Sequence, residues 1–294
     1  MDDIQLAAGS GTTARIAPEA GFCCLSWSVD GKEHLRLPVP EAEFLTKPKT
    51  GGVPLLYPYA NRLRSDPWPD RSDVKRDGGL PCHGFLLRFS DWDSVDSDGG
   101  RATVVLEWAA HEQLMSLFPH AHRLTTTFEL GEGSLRATTL VEANAGDDVP
   151  ISFGWHPYLT LPGVTHDELE LSLPPLEHVH LDDQGLPVRD DSGALVVDEP
   201  ADFSGPLQGR SFDDLYRLGA GGASFELHGG GSGLRLEMDE HWNFAQLYSP
   251  EGADFIAIEP MTAPVAALSD GRDHPTITAG NQYEASFTVS VIQQ

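Results

Sequence analysis

The sequence predicts an all-β protein, a large antiparallel β-sandwich, on three observations. Period-two alternation is the dominant pattern, seen without a break in Leu234-Arg235-Leu236-Glu237-Met238 and Phe287-Thr288-Val289-Ser290-Val291. Turn chemistry separates such runs, and 30 glycines with 22 prolines favour many turns over long helices. The strand-like runs follow one another without helix-length insertions, which argues against a doubly wound α/β fold.

Taken in order, residues 103–108, 124–130, 135–142, 169–173 and 223–228 read as further strands, rich in β-branched and aromatic types. Asp98-Gly99-Gly100, Gly131-Glu132-Gly133, Asn144-Ala145-Gly146 and Gly229-Gly230-Gly231 supply turns or bulges between them. Residues 109–118 could form a short helix, which Pro119 would end. The stretch 182–206, rich in Asp, Gly and Pro, reads as a long surface excursion. No low-complexity linker divides the chain, so residues 1–294 are expected to form one domain of two packed sheets.

The charge balance excludes some functions. With 45 acidic and 19 basic residues the formal net charge is -26, whereas phosphate backbones need a basic surface to displace counterions. Nucleic acid and anionic membranes are therefore poor partners. Cys23 and Cys24 are adjacent and Cys82 stands alone, so no disulfide framework follows. No basic segment leads into an apolar run near the start, and no apolar stretch is long enough to span a bilayer. A cytoplasmic location is the expectation.

Four segments hold residues that a β-core does not need. In Pro54-Leu55-Leu56-Tyr57-Pro58-Tyr59-Ala60-Asn61-Arg62, a scarce arginine offers a planar fork of donors suited to hydroxyls or carboxylates, or to a surface ion pair. In Pro81-Cys82-His83-Gly84-Phe85, the glycine permits unusual backbone angles beside a histidine, which suits a turn or a close ligand. In Phe153-Gly154-Trp155-His156-Pro157-Tyr158, Pro157 holds His156 extended among aromatics whose faces can stack on a sugar and desolvate an acid. In Asp254-Phe255-Ile256-Ala257-Ile258-Glu259-Pro260-Met261-Thr262-Ala263-Pro264, an apolar strand runs into a carboxylate. Burial at such a strand end raises a carboxyl pKa toward a useful value.

Together these segments resemble the aldose 1-epimerase (galactose mutarotase-like) family, in its order, from Tyr57 to Pro264. Phe212-Asp213-Asp214-Leu215-Tyr216 and Phe244-Ala245-Gln246-Leu247-Tyr248 are similar to two further family segments. The resemblance implies a β-supersandwich with an open cleft, a sugar substrate and no cofactor. It implies His156 as general acid, Glu259 as general base and His83 on the ring-oxygen side. Arg62, Asp213, Gln246 and Tyr158 would bind the sugar, with Asn61 supporting Arg62. His83-Gly84-Phe85 followed by Arg88 and Trp92 is also similar to the hexose-6-phosphate epimerase branch, for which Arg62, Arg64, Lys75 and Arg88 are candidate phosphate ligands.

These residue types suit anomer exchange. A proton must leave the anomeric hydroxyl while another reaches the ring oxygen, and a carboxylate with an imidazole can do both near neutral pH. A non-catalytic sugar-binding module and a glycoside hydrolase using Asp213 and Glu259 remain as other readings. His120-x-His122 and His178-x-His180 could each put two imidazoles on one strand face. With no third ligand close by in sequence, no metal is expected.

Overall fold

The computed structural model describes residues 2–46 and 49–293. The strands form two large antiparallel sheets, with a smaller one at the N-terminal end. In the nine-stranded sheet the order is Gly205–Pro206, Glu170–Ser172, Ala223–Gly229, Ser232–Met238, Gln282–Gln293, Ser134–Ala143, His122–Gly131, Arg101–Glu107 and Ser94–Ser97. The second sheet runs Glu177–Val179, Phe212–Arg217, Phe244–Ser249, Ile256–Met261, Gly154–Trp155 and Leu55–Leu56, with Tyr158–Leu159 also pairing to Ile256–Met261. A four-stranded sheet, Ile4–Ala8, Thr12–Ala17, Cys23–Val29 and Lys32–Glu33, was not foreseen. Its third strand does alternate, in Leu25-Ser26-Trp27-Ser28-Val29, while its other strands are short or rich in small and polar residues.

Each strand read from the alternation is present, most extended by one or two residues. The inward residues of the nine-stranded sheet, among them Leu234, Leu236, Phe287, Val289, Leu124 and Phe128, meet Leu247, Ile256 and Ile258 of the second sheet in one apolar cluster. The helical turn expected at 109–118 is a 3-10 turn, Trp108–Ala110, followed by a short helix, Glu112–Leu117. The excursion 182–206 is irregular, tied by isolated bridges such as Val179↔Val197 and Arg189↔Leu195. No helix among the described residues is long and apolar enough to cross a membrane.

What positions the site is that the second sheet is covered on both faces. Along Ile256–Met261 every residue is buried. Ile256 and Ile258 point into the main cluster, while Met261 joins a second cluster with Leu56, Ala60, Leu87 and Leu215. Glu259 lies on that second face, opposite Gln246 in the register. The wall above it is two chain segments laced together: Tyr57 bridges Gly84, and Arg62 bridges Cys82. Gly84 has φ +66°, and a Cβ there would lie 2.0 Å from the Tyr57 carbonyl oxygen. Only glycine fits this approach.

Gly84→Ala is therefore expected to lower stability by more than about 2 kcal/mol, combining left-handed strain with a backbone collision. Urea unfolding followed by tryptophan fluorescence measures it, and an unchanged midpoint would refute the close-approach account.

Candidate active site

The structure gathers seven of the eight candidate residues, Asn61, Arg62, His83, His156, Tyr158, Asp213 and Glu259, around one cavity of about 200 Å³. The eighth, Gln246, is 1% exposed; it lies behind Asp213 and donates from Nε2 to its Oδ1 at 2.8 Å. Asp213 and Gln246 share a face because Leu215, two residues after Asp213, pairs with Gln246.

At the centre His156 Nε2 lies 3.1 Å from Glu259 Oε1, and both side chains are almost fully buried. Burial pushes the Glu259 carboxyl well above its ordinary range, reinforced by the negative charge of Asp213 and opposed by Lys75 and Arg62. Burial also pulls the His156 imidazole down, and the Lys75 ammonium adds to that effect. Each shift favours the neutral form of its group, so burial favours a carboxylic acid beside a neutral imidazole in the free protein. Tyr158 stacks on the His156 ring, 4.5 Å between centroids and 10° between planes, and its hydroxyl is anchored to Thr50 Oγ1 at 2.7 Å. The imidazole plane is thereby fixed.

His83 is held by the backbone. It has φ +65° and Asn61 has φ +56°, two left-handed non-glycine residues facing each other. Strain of this kind costs about 1–3 kcal/mol per residue. Two hydrogen bonds offset it: the His83 amide donates to the Asn61 carbonyl at 2.9 Å, and the Asn61 amide donates to His83 Nδ1 at 3.2 Å. An accepting Nδ1 leaves the ring proton on Nε2, and burial keeps the ring neutral. The His83 and His156 rings meet edge to face at 5.6 Å. Arg62 donates to Asn61 Oδ1 at 3.2 Å and pairs with Asp77.

Sequence reasoning assigned no site role to Thr50, Asp77, Cys82 or Tyr248, all of which line the cavity. Tyr248 was legible, since it stands two residues after Gln246 and alternation returns it to the same face. Thr50 and Asp77 carried no local signal. Of the four candidate phosphate ligands, Arg62 and Lys75 reach the cavity. Arg64 instead pairs with Asp270. The Arg88 guanidinium donates to the carbonyls of Leu87, Phe44 and Lys49. A larger hollow of about 830 Å³ shares Lys75, but its His111 faces the open carboxylate of Asp91, which is 88% exposed on its side chain.

The family model described as aldose 1-epimerase matches residues 2–290. Solved structures share the fold. A galactose mutarotase-like protein from Clostridium acetobutylicum superposes with a TM-score of 0.79 at 17% identity, covering 99% of this chain and 95% of that one. Another galactose mutarotase-like protein, from Lactobacillus casei, gives 0.70 at 21% identity over 99% and 100% of the two chains. An aldose epimerase homologue from Caenorhabditis elegans gives 0.75 at 17% identity over 99% of each.

The raised Glu259 pKa has a consequence for stability. Between its ordinary value of 4.5 and the higher native one, the folded protein keeps a proton that the unfolded chain has released. Stability therefore falls as pH rises through that window. Glu259→Gln removes this cost, so the variant should withstand more urea than the parent at about pH 8, with the gap closing toward pH 4.5. A gap that does not change with pH would contradict the burial argument.

Proposed function

The chain belongs to the aldose 1-epimerase family, and from that membership we propose that it interconverts the α and β anomers of a free hexose by acid–base ring opening and closure. The observation that carries the proposal is the buried contact between His156 Nε2 and Glu259 Oε1 at 3.1 Å. Opening a pyranose needs a carboxylate to take the anomeric hydroxyl proton and an acid to protonate the ring oxygen. The arrangement of carboxylate and imidazolium holds the same number of protons as that of carboxylic acid and imidazole. Burial favours the neutral arrangement in the free protein. Sugar hydroxyls, with Arg62 and Lys75 nearby, would stabilise the charged one once substrate is bound.

In the forward direction Glu259 takes the proton from the C1 hydroxyl, the C1–O bond to the ring oxygen breaks, and His156 delivers its proton to that oxygen. A free aldehyde results. Rotation about C1–C2 presents its other face, and both transfers reverse on closure. The Nε2–H of His83 can donate to the ring-oxygen side. Asp213, held by Gln246, would accept from sugar hydroxyls, and Arg62, braced by Asn61, would donate to them. Tyr158 stacks on the His156 ring and fixes its plane.

A free sugar is favoured over a 6-phosphate by the charges in the cavity. Two cations, Arg62 and Lys75, face the carboxylates of Asp77 and Asp213, and Arg64 and Arg88 are committed elsewhere. A phosphate dianion would need a convergent set of unpaired donors.

Exchange NMR on free and phosphorylated aldoses tests the reading. Anomer exchange of a free hexose should be accelerated, and Glu259→Gln should slow it by about 10²–10⁴-fold while sugar binding persists. Undiminished exchange in the variant would remove Glu259 from the mechanism. Acceleration confined to the 6-phosphates would favour the phosphosugar reading, and binding without acceleration a non-catalytic module.

A further inference from the structure

On the edge of the same sheet, facing away from the cleft, lies a second cluster of titratable groups with no part in anomer exchange. His178 pairs across from Tyr216, a core residue, and Asp214 follows on that face by alternation, while Asp213 and Leu215 turn to the cleft side. His180 is two residues beyond His178 and so shares its face. The third group comes from the far end of the excursion. The Asp198 amide donates to the His178 carbonyl at 2.9 Å and the His180 amide to the Val196 carbonyl at 2.9 Å. This ladder sets Asp198 directly across from His178, so a ligand invisible as a sequence neighbour arrives through strand pairing.

One potential ligand atom from each of His178, His180 and Asp198 lies within 4.8 Å of the others. Asp198 Oδ1 is 2.7 Å from His180 Nε2, and Oδ2 is 3.3 Å from His178 Nδ1. The other nitrogen of His178, Nε2, lies 3.1 Å from Asp214 Oδ1. Asp198 thus presents one carboxylate oxygen to each imidazole, and a single cation among the three groups would meet His178 Nδ1, His180 Nε2 and Asp198 together.

We propose that His178, His180 and Asp198 form a three-ligand site for a divalent transition-metal ion of the zinc type, with Asp214 orienting His178 from behind. Two imidazoles and a carboxylate suit zinc, with ligand distances of about 2.0–2.2 Å and a fourth position for water. A carboxylate behind a ligating histidine fixes its tautomer and raises its basicity. Tyr216 and Phe203 flank the His178 ring at 5.4 and 6.4 Å and limit its rotation. The role is structural. The ion would clip the two ends of the excursion together, and the excursion's turn at Asp182, Asp183, Gln184 and Gly185 lines a hollow with Arg62 and Asp213 at the cleft mouth.

The test is a Co2+ titration of the untagged full chain after chelator treatment, followed by visible d–d bands, with Zn2+ then added in competition. One Co2+ should bind per chain and be displaced by Zn2+. His180→Gln and Asp198→Asn should each weaken binding at least about tenfold, and Asp214→Asn by about 10–100-fold. These side chains are partly exposed, so the variants should keep the parent's circular dichroism; the single His180→Gln exchange suffices if the others do not fold. Absence of stoichiometric binding by the folded parent, or binding that survives in His180→Gln, would overturn the assignment.

Discussion

The structure depends on a carboxyl group that is almost fully buried on the wall of the cleft. Glu259 sits in a strand whose residues are all buried, with its Oε1 3.1 Å from His156 Nε2. Leaving a lone charge there would be costly, so the carboxyl keeps its proton. Much of the surrounding architecture serves this constraint. The nine-stranded sheet covers one face of the strand, and the laced segments around Tyr57 and Gly84 close the other. Tyr158 and Thr50 hold the imidazole plane beside the carboxyl.

Strain and burial at the site are compensated locally. Asn61 and His83 occupy left-handed backbone conformations and satisfy each other with two hydrogen bonds. That exchange fixes the His83 tautomer and aims Asn61 Oδ1 at Arg62. The pairing of Gln246 with Asp213 acts in the same way on the opposite wall. Neighbouring residues of one strand then diverge in role: Asp213 faces the cleft, and Asp214 faces the histidine cluster at the sheet edge.

The sheets were legible because alternation in runs such as Leu234–Met238 reports directly which face is buried. Glu259 was legible for the same reason, since Phe255, Ile256, Ala257 and Ile258 leave a following carboxylate no exit. His156 was marked by Pro157 and its aromatic neighbours. Thr50 and Asp77 were not, because their place at the cavity is set by loops packing across the chain. The N-terminal sheet was legible only in its third strand, where Leu25-Ser26-Trp27-Ser28-Val29 alternates; its other strands are short or rich in small and polar residues. Asp198 escaped for a third reason: strand pairing brings it to His178 across an excursion with no regular pattern.

The central claim is that burial keeps His156 neutral in the free protein while the proton rests on Glu259. Nitrogen-15 NMR of the His156 ring, followed from about pH 5 to pH 8, reads this directly. The account predicts a ring that stays neutral across the range and shifts toward the protonated form only when sugar is added. A ring that titrates in the free protein with an ordinary midpoint of about 6.5 would contradict it.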